Sequence, residues 1–242
     1  MADAARELNI GFFSRMLRGR PWVRLKVAAS LDGRTALPDG TSQWITGPEA
    51  RADGHAWRRR AGAVLTGIGT VREDDPRLDV RLVPTARQPL RVVLDARLDT
   101  PPSARLLEVP GEVLLCCTAA ALNSTRAAAL SRSNVTLAPV QTDSNGWIDL
   151  PAVLETLARR GVNELHIEAG QHLHGSFVRA GLVDEYLVYL APKLIGAGRD
   201  MAAFGPLAAL ADAAPLVFTD LTRVGGDVRL MARSATGFGS PA

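Results

Sequence analysis

Glu168-Ala169-Gly170, directly ahead of a helical pattern, is where this chain offers most chemistry. A carboxylate at a strand tip accepts hydrogen bonds, and a glycine lets a ligand approach the backbone beside the unpaired N–H groups of the next helix turn, which attract phosphate. Because a carboxylate repels a bare phosphate, Glu168 suits a hydroxyl-bearing part of a ligand next to the phosphate. Gly67-Ile68-Gly69-Thr70 is a second such turn, half of a G-x-G-x-x-G fingerprint. Either turn alone is equally consistent with a plain chain reversal; two in one α/β domain favour a dinucleotide. The third region runs from Lys26, on the polar side of a strand, to Ser42-Gln43-Trp44 ahead of a capped helix. Trp44 offers a face to a flat ring, although a core or surface role is commoner for Trp. Arg58 and Arg81 carry the planar fork that holds phosphate bidentately, against a default of exposed, unassigned arginine.

Motifs for rival chemistries are missing from the sequence. There is no G-x-S-x-G elbow, no G-x-x-x-x-G-K-[ST] loop and no zinc-ligand spacing, so no metal is expected. Hydride transfer requires neither a protein nucleophile nor a metal, since a cofactor performs it and the protein supplies position and electrostatics.

These residues need strands and helices to hold them. Residues 22–29 alternate apolar Val23, Leu25 and Val27 with Trp22, Arg24 and Lys26, the period of a strand, and residues 30–40 are turn-rich. Thr46-Gly47-Pro48-Glu49 is a capping box that opens a helix over 48–60. Strands are expected at 63–66, 90–95, 112–117, 135–139, 164–168 and 185–191, and helices at 119–130, 151–160 and 171–180. Gly225-Gly226-Asp227 joins strands 218–224 and 228–232 in a hairpin. Residues 80–88, with Pro84 and Thr85, read as the most mobile loop. Alternating strands and helices argue a mainly parallel sheet covered on both faces, with an antiparallel C-terminal hairpin.

The 242 residues are 47% apolar and 22% charged with a net charge of +3, which excludes global disorder and gives no clustered basic face for nucleic acid. No segment reaches the roughly 20 apolar residues of a membrane span, and the first 19 residues lack the apolar stretch of a signal peptide. Cys116 and Cys117 are adjacent on a strand, point to opposite faces, and read as core filler in a reducing, cytoplasmic compartment.

Lys26-Val-Ala-Ala-Ser-Leu-Asp-Gly-Arg-Thr35, Ser42-Gln-Trp-Ile-Thr46, Asp74-Asp75-Pro76, Glu168-Ala-Gly170, Gly181-Leu-Val-Asp-Glu185 and Ala191-Pro-Lys-Leu-Ile-Gly196 recur in one order. This ordered set, from about Asn9 to Arg233, resembles the reductase domain of the bacterial bifunctional riboflavin-biosynthesis deaminase/reductase. The resemblance implies a dihydrofolate-reductase-like three-layer α/β/α fold, NADPH, and reduction of 5-amino-6-(5-phosphoribosylamino)uracil to its ribitylamino product. By position it implies substrate contacts at Lys26, Ser42, Arg58, Leu78, Arg81 and Glu168, with Lys26 and Glu168 as candidate catalytic residues. Cofactor contacts fall at Ala28, Trp44, Thr70, Asp74, Gly170, Gln171, His172, Leu173, His174, Gly175 and Ser176.

Two departures stand out. The deaminase patterns H-x-E and P-C-x-x-C are absent, so deamination is not expected; Asn9-Ile-Gly-Phe-Phe13 resembles the joint that follows the deaminase. His172 and His174 stand in the cofactor turn, either donating to or crowding the pyrophosphate, or as two exposed helix residues. The expected organisation is a joint over 1–20, one reductase domain over 21–235 and a tail over 236–242. A small-molecule phosphoribosyl-pyrimidine partner and a homodimer are implied, with no nucleic acid or membrane. The rival readings are reduction of the still-aminated pyrimidine or of dihydrofolate on the same fold, and a non-catalytic nucleotide-binding or regulatory module.

Overall fold

A computed structural model describes residues 2–235, and the side chains of residues 5–235. The expected tail, 236–242, lies outside the described residues. Eight α-helices among the described residues are α1 (Ala2–Leu8), α2 (Ile10–Arg18), α3 (Pro48–Arg60), α4 (Ile68–Asp74), α5 (Arg105–Glu108), α6 (Thr125–Ala129), α7 (Leu150–Arg159) and α8 (Gln171–Arg179). The strands are β1 (Trp22–Ser30), β2 (Arg34–Ala36), β3 (Ala63–Gly67), β4 (Leu90–Leu94), β5 (Val113–Cys117), β6 (Val135–Pro139), β7 (Glu164–Ile167), β8 (Glu185–Ala191), β9 (Arg199–Asp200), β10 (Leu216–Val224) and β11 (Asp227–Ser234). The described residues form two compact units, residues 2–22 with 55–169 and residues 23–54 with 170–235. The class is α/β, with mainly parallel strands and an antiparallel C-terminal hairpin, as the sequence predicts.

In the first unit, β7, β3, β4, β5 and β6 lie side by side and every pair is parallel. All five residues of β5 are buried, Cys116 and Cys117 among them, the uninterrupted apolar run of a strand covered on both faces. Val71, Val93, Leu98, Leu106, Leu115 and Leu130 form the core on one side. Asp149 starts α7 by accepting the Ala152 amide at 3.1 Å, with a proline in the first turn.

The helix expected over 119–130 is two pieces. A 3₁₀ turn spans Ala119–Asn123, and α6 restarts behind Ser124, whose hydroxyl accepts the Ala127 amide at 3.3 Å. A serine that caps a new helix competes with continuing the old one, and the alanine-rich context hid this. The two ends of the loop expected to be mobile, Val80 and Gln88, are tied to each other. The Gln88 side chain accepts from Val80 N at 2.7 Å and donates to Val80 O at 2.9 Å.

In the second unit, β1 pairs parallel with β8, β8 antiparallel with β11, and β11 antiparallel with β10. Residues 30–40, expected as loop only, contain β2, which pairs with β9. The supposedly polar side of β1 is partly core. Arg24 is buried and faces Glu185 across the ladder, with Nε donating to Oε2 at 2.6 Å, while Arg233 on β11 donates to the other oxygen at 2.7 Å. The register places the three in one row, Arg24 opposite Glu185 and Glu185 opposite Arg233.

Candidate active site

Glu168 follows the last residue of β7, its amide bonded to Leu65 O at 2.9 Å, so its carboxylate leaves the C-terminal edge of the parallel strands. Arg58, in the last turn of α3, meets it as a bidentate fork. Nε donates to Oε1, Nη2 donates to Oε2 at 2.9 Å, and Nη1 donates to the Asp79 carbonyl at 2.9 Å. Burial works against the Arg58 charge, but the Glu168 carboxylate outweighs it and holds the pKa above its ordinary value. Arg58 is thus already engaged, with Glu168 rather than with open solvent.

Asp79 organises a second ion cluster beside it. Its carboxylate accepts from Arg77 Nη2 at 2.7 Å and from Arg81 Nη1 at 2.6 Å. Burial pushes this carboxyl up, yet the hydrogen bonds from Arg77 and Arg81 bring it below its ordinary value. Arg81 keeps 41% of its side chain exposed and can reach a ligand. Leu78 is buried between these charges with φ of 53°, a left-handed backbone that a branched residue tolerates only where its surroundings hold it. The first unit therefore brings Arg58, Leu78, Arg81 and Glu168 together, and carries Thr70 and Asp74 on α4.

The second unit carries the other expected residues. Lys26 and Ala28 are two apart on β1 and both half-buried, on the same side of the strand. Lys26 Nζ lies 5.9 Å from the Tyr189 ring centroid, and Tyr189 donates to Asp53 at 2.6 Å. Ser42 is half-buried and Trp44 is 61% exposed, with the Arg51 guanidinium 4.5 Å from its ring centroid and Lys193 Nζ donating to its carbonyl at 3.0 Å. Asp32 ties the 30–34 turn to the segment after β8, accepting from Ile195 and Gly196 amides. Its pKa falls to about 2, chiefly through the Ser30 hydroxyl and then those amides.

At α8, Gly170 precedes the helix without a side-chain cap, and the first intrahelical bond runs from His174 N to Gly170 O at 3.1 Å. The amides of Gln171, His172 and Leu173 thus lie ahead of that bond, the orphan donors that bind anions. The later residues of the expected run have other partners. His174 is buried with Nδ1 3.0 Å from Met201 O, Ser176 donates to His172 O at 3.0 Å, and a Cβ on Gly175 would run into the Ala203 carbonyl. The expectation of two exposed histidines holds for His172 alone, because position 174 falls on the inward face of α8.

Sequence reasoning missed an arginine-lined cavity of about 680 Å³ in the first unit, bounded by Arg72, Arg97, Leu98, Pro101, Arg126 and Leu130. Arg97 and Arg126 share Asp99, and Arg72 makes no ion pair among the described residues. The wall is preformed, because buried Asp95 accepts the Asp99 and Thr100 amides at 2.8 and 2.7 Å. Arg97 three residues past the end of β4 was the available signal. His55, buried in α3 with Nδ1 3.2 Å from the Arg81 amide, was also missed. No group of metal-ligating side chains occurs among the described residues, and no helix among them is long and apolar enough to cross a membrane.

A sequence model described as the RibD C-terminal domain matches residues 21–230. The chain is similar to the riboflavin biosynthesis protein RibD of Escherichia coli (strain K12), 39% identical over 243 residues that cover 95% of this chain and 64% of that protein. It is also similar to the solved structure of Acinetobacter baumannii RibD, form 1, with 36% identity, a TM-score of 0.83, and coverage of 96% of this chain and 63% of that one. A third likeness, to the riboflavin biosynthesis reductase Rib7 of Saccharomyces cerevisia, has 20% identity, a TM-score of 0.68, and coverage of 90% and 91%, and speaks to fold alone. The chain thus spans a little under two thirds of the length of the RibD proteins named here.

Proposed function

The chain belongs to the RibD C-terminal domain family, and from that premise we propose that it reduces the ribosyl group of 5-amino-6-(5-phosphoribosylamino)uracil to the ribitylamino product with NADPH, in riboflavin biosynthesis. The observation that carries the reading is the bidentate Arg58–Glu168 pair at the end of β7 with Arg81 beside it. It is an oriented carboxylate next to a cation, suited to a sugar phosphate.

In this reading Glu168, fixed by Arg58, accepts hydrogen bonds from sugar hydroxyls or the pyrimidine edge, and Arg81 meets the phosphate. Leu78 supplies shape, and Ser42 a hydroxyl contact. As the sugar opens, the C1′–O4′ bond breaks and the released oxygen needs a proton, which Lys26 is the residue to deliver. The rest is positioning.

The residues present fit a pyridine dinucleotide. The orphan amides of Gln171, His172 and Leu173 suit its pyrophosphate, with Gly170 allowing close approach. Trp44 has an exposed ring, and Ala28, Thr70 and Asp74 are further cofactor positions. NADPH rather than NADH is what the family resemblance implies, and taken by itself the arginine-rimmed cavity of the first unit is chemically suited to a phosphate group. When bound, a reduced nicotinamide would supply the hydride that C1′ receives.

Residues 21–235 act as one reductase domain behind the 1–20 joint, and the protein works in the cytoplasm as a homodimer. Support for the dimer is the strand β10, whose Leu216, Val217, Phe218 and Leu221 are all exposed. The test is turnover of the full chain with NADPH or NADH, on the deaminated or the still-aminated pyrimidine. The reading predicts turnover of the deaminated compound with NADPH preferred; a folded, NADPH-binding sample that turns over neither compound overturns it.

A further inference from the structure

His55 stands one turn before Arg58 on α3, where residues three apart share a face. It is 5% exposed, and the charges around it are Arg58 on its own helix, Asp79 and Arg81 from the loop before β4, and Glu168 behind β7. The backbone N–H of Arg81 points at Nδ1 across 3.2 Å. An amide can only donate, so Nδ1 must be the unprotonated nitrogen and the ring proton must sit on Nε2. Burial, then the positive charges of Arg58 and Arg81, hold the ring pKa down at about 4, so this neutral tautomer persists through the physiological range. Among the described residues the Nε2–H has no hydrogen-bond partner. Nε2 is not sealed away from the surface, so its N–H is open to a molecule that enters beside Arg58, Arg81 and Glu168.

We propose that His55 is a further substrate-binding residue, whose Nε2–H donates a hydrogen bond to an oxygen of the bound sugar phosphate, with the Arg81 amide locking the tautomer. The inference rests on the functional reading above for the identity of the ligand. It explains why a neutral histidine sits among fixed charges. Arg58 is committed to Glu168, and Arg81 shares its charge with Asp79, so an uncommitted neutral donor completes the coordination of a ligand oxygen without adding another charge to balance.

The experiment uses the full chain, labelled with ¹⁵N in its histidine rings, and ribose 5-phosphate as probe. The His55 ring is expected in the Nε2–H form, and its Nε2 resonance is expected to move on saturation with ribose 5-phosphate while Nδ1 stays put. In steady state, His55→Leu is expected to raise KM for the pyrimidine substrate roughly tenfold with kcat within about threefold. His55→Gln, whose oxygen can take the Arg81 amide while its NH₂ donates, is expected to stay within about threefold of the parent in KM. Affinity for NADPH alone is expected to be unchanged in both. An Nδ1–H tautomer, or an Nε2 resonance that ignores saturating ribose 5-phosphate, overturns the inference, and so does a His55→Leu variant with parental KM. Parental turnover separates this from the functional reading. If the unmodified chain turns over substrate and Nε2 does not respond, only the inference fails. If it turns over nothing and Nε2 responds, the contact stands and the functional reading fails.

Discussion

Glu185→Gln tests the packing that holds β1, and with it Lys26, in place. The Glu185 side chain is 1% exposed and neutralises Arg24, 2% exposed, and Arg233, 26% exposed. Glutamine preserves shape and one acceptor but removes the carboxylate charge that both guanidiniums face. Removing one member of a buried pair costs about 3–5 kcal/mol. Arg233 can turn toward solvent, so the low end applies, about 3 kcal/mol. For a chain of this size that lowers Tm by roughly 6–12 °C. Urea unfolding followed by circular dichroism measures it, with the slope m unchanged if only stability has moved. The double variant Arg24→Leu/Glu185→Leu removes the buried charge together with its partner and should lie within about 1 kcal/mol of the parent. A Glu185→Gln protein as stable as the parent, or a double variant as damaged as the single one, would refute the reasoning that the row is a buried charge balance.

Arg81→Ala should raise KM for the pyrimidine substrate while changing the urea midpoint little, since the side chain is 41% exposed and such surface pairs contribute about 0–1 kcal/mol; unchanged kinetics would remove Arg81 from the phosphate site. Gly175→Ala should cost about 1–3 kcal/mol in urea unfolding, because the new methyl must displace the Ala203 carbonyl; a neutral result would show that the segment yields. The thiols of Cys116 and Cys117 should react with a thiol reagent only as fast as the protein opens, since both are buried and burial pushes the Cys116 pKa up to about 12. Rapid modification of the folded chain would contradict their placement in β5.

Element positions were largely legible in the sequence. Glu185–Ala191 is apolar after its first residue and reads as a strand, but which of its residues are buried, Glu185 among them, alternates in a way the composition does not show. Val113–Cys117 carries an uninterrupted apolar run and is wholly buried. What the pattern could not tell was which polar residues the topology would bury. Arg24 reads as solvent-facing until Glu185, 161 residues away in sequence, is placed opposite it. Pairings as short as β2 with β9 leave no periodicity to detect. At the site, resemblance supplied Arg58 and Glu168 but not that they bind each other, because their contact spans 110 residues of sequence. The Arg72–Arg97–Arg126 rim and the tautomer of His55 are likewise products of folding, since each needs a partner that spacing alone cannot assign.

The most direct measurement is transfer of label from NADPH deuterated at nicotinamide C4 to 5-amino-6-(5-phosphoribosylamino)uracil, followed by mass spectrometry and NMR of the product. The account predicts one deuterium at C1′ of a ribitylamino product, formed in step with cofactor oxidation. Oxidation without deuterium at C1′, or no product from a folded sample that binds both ligands, would contradict it.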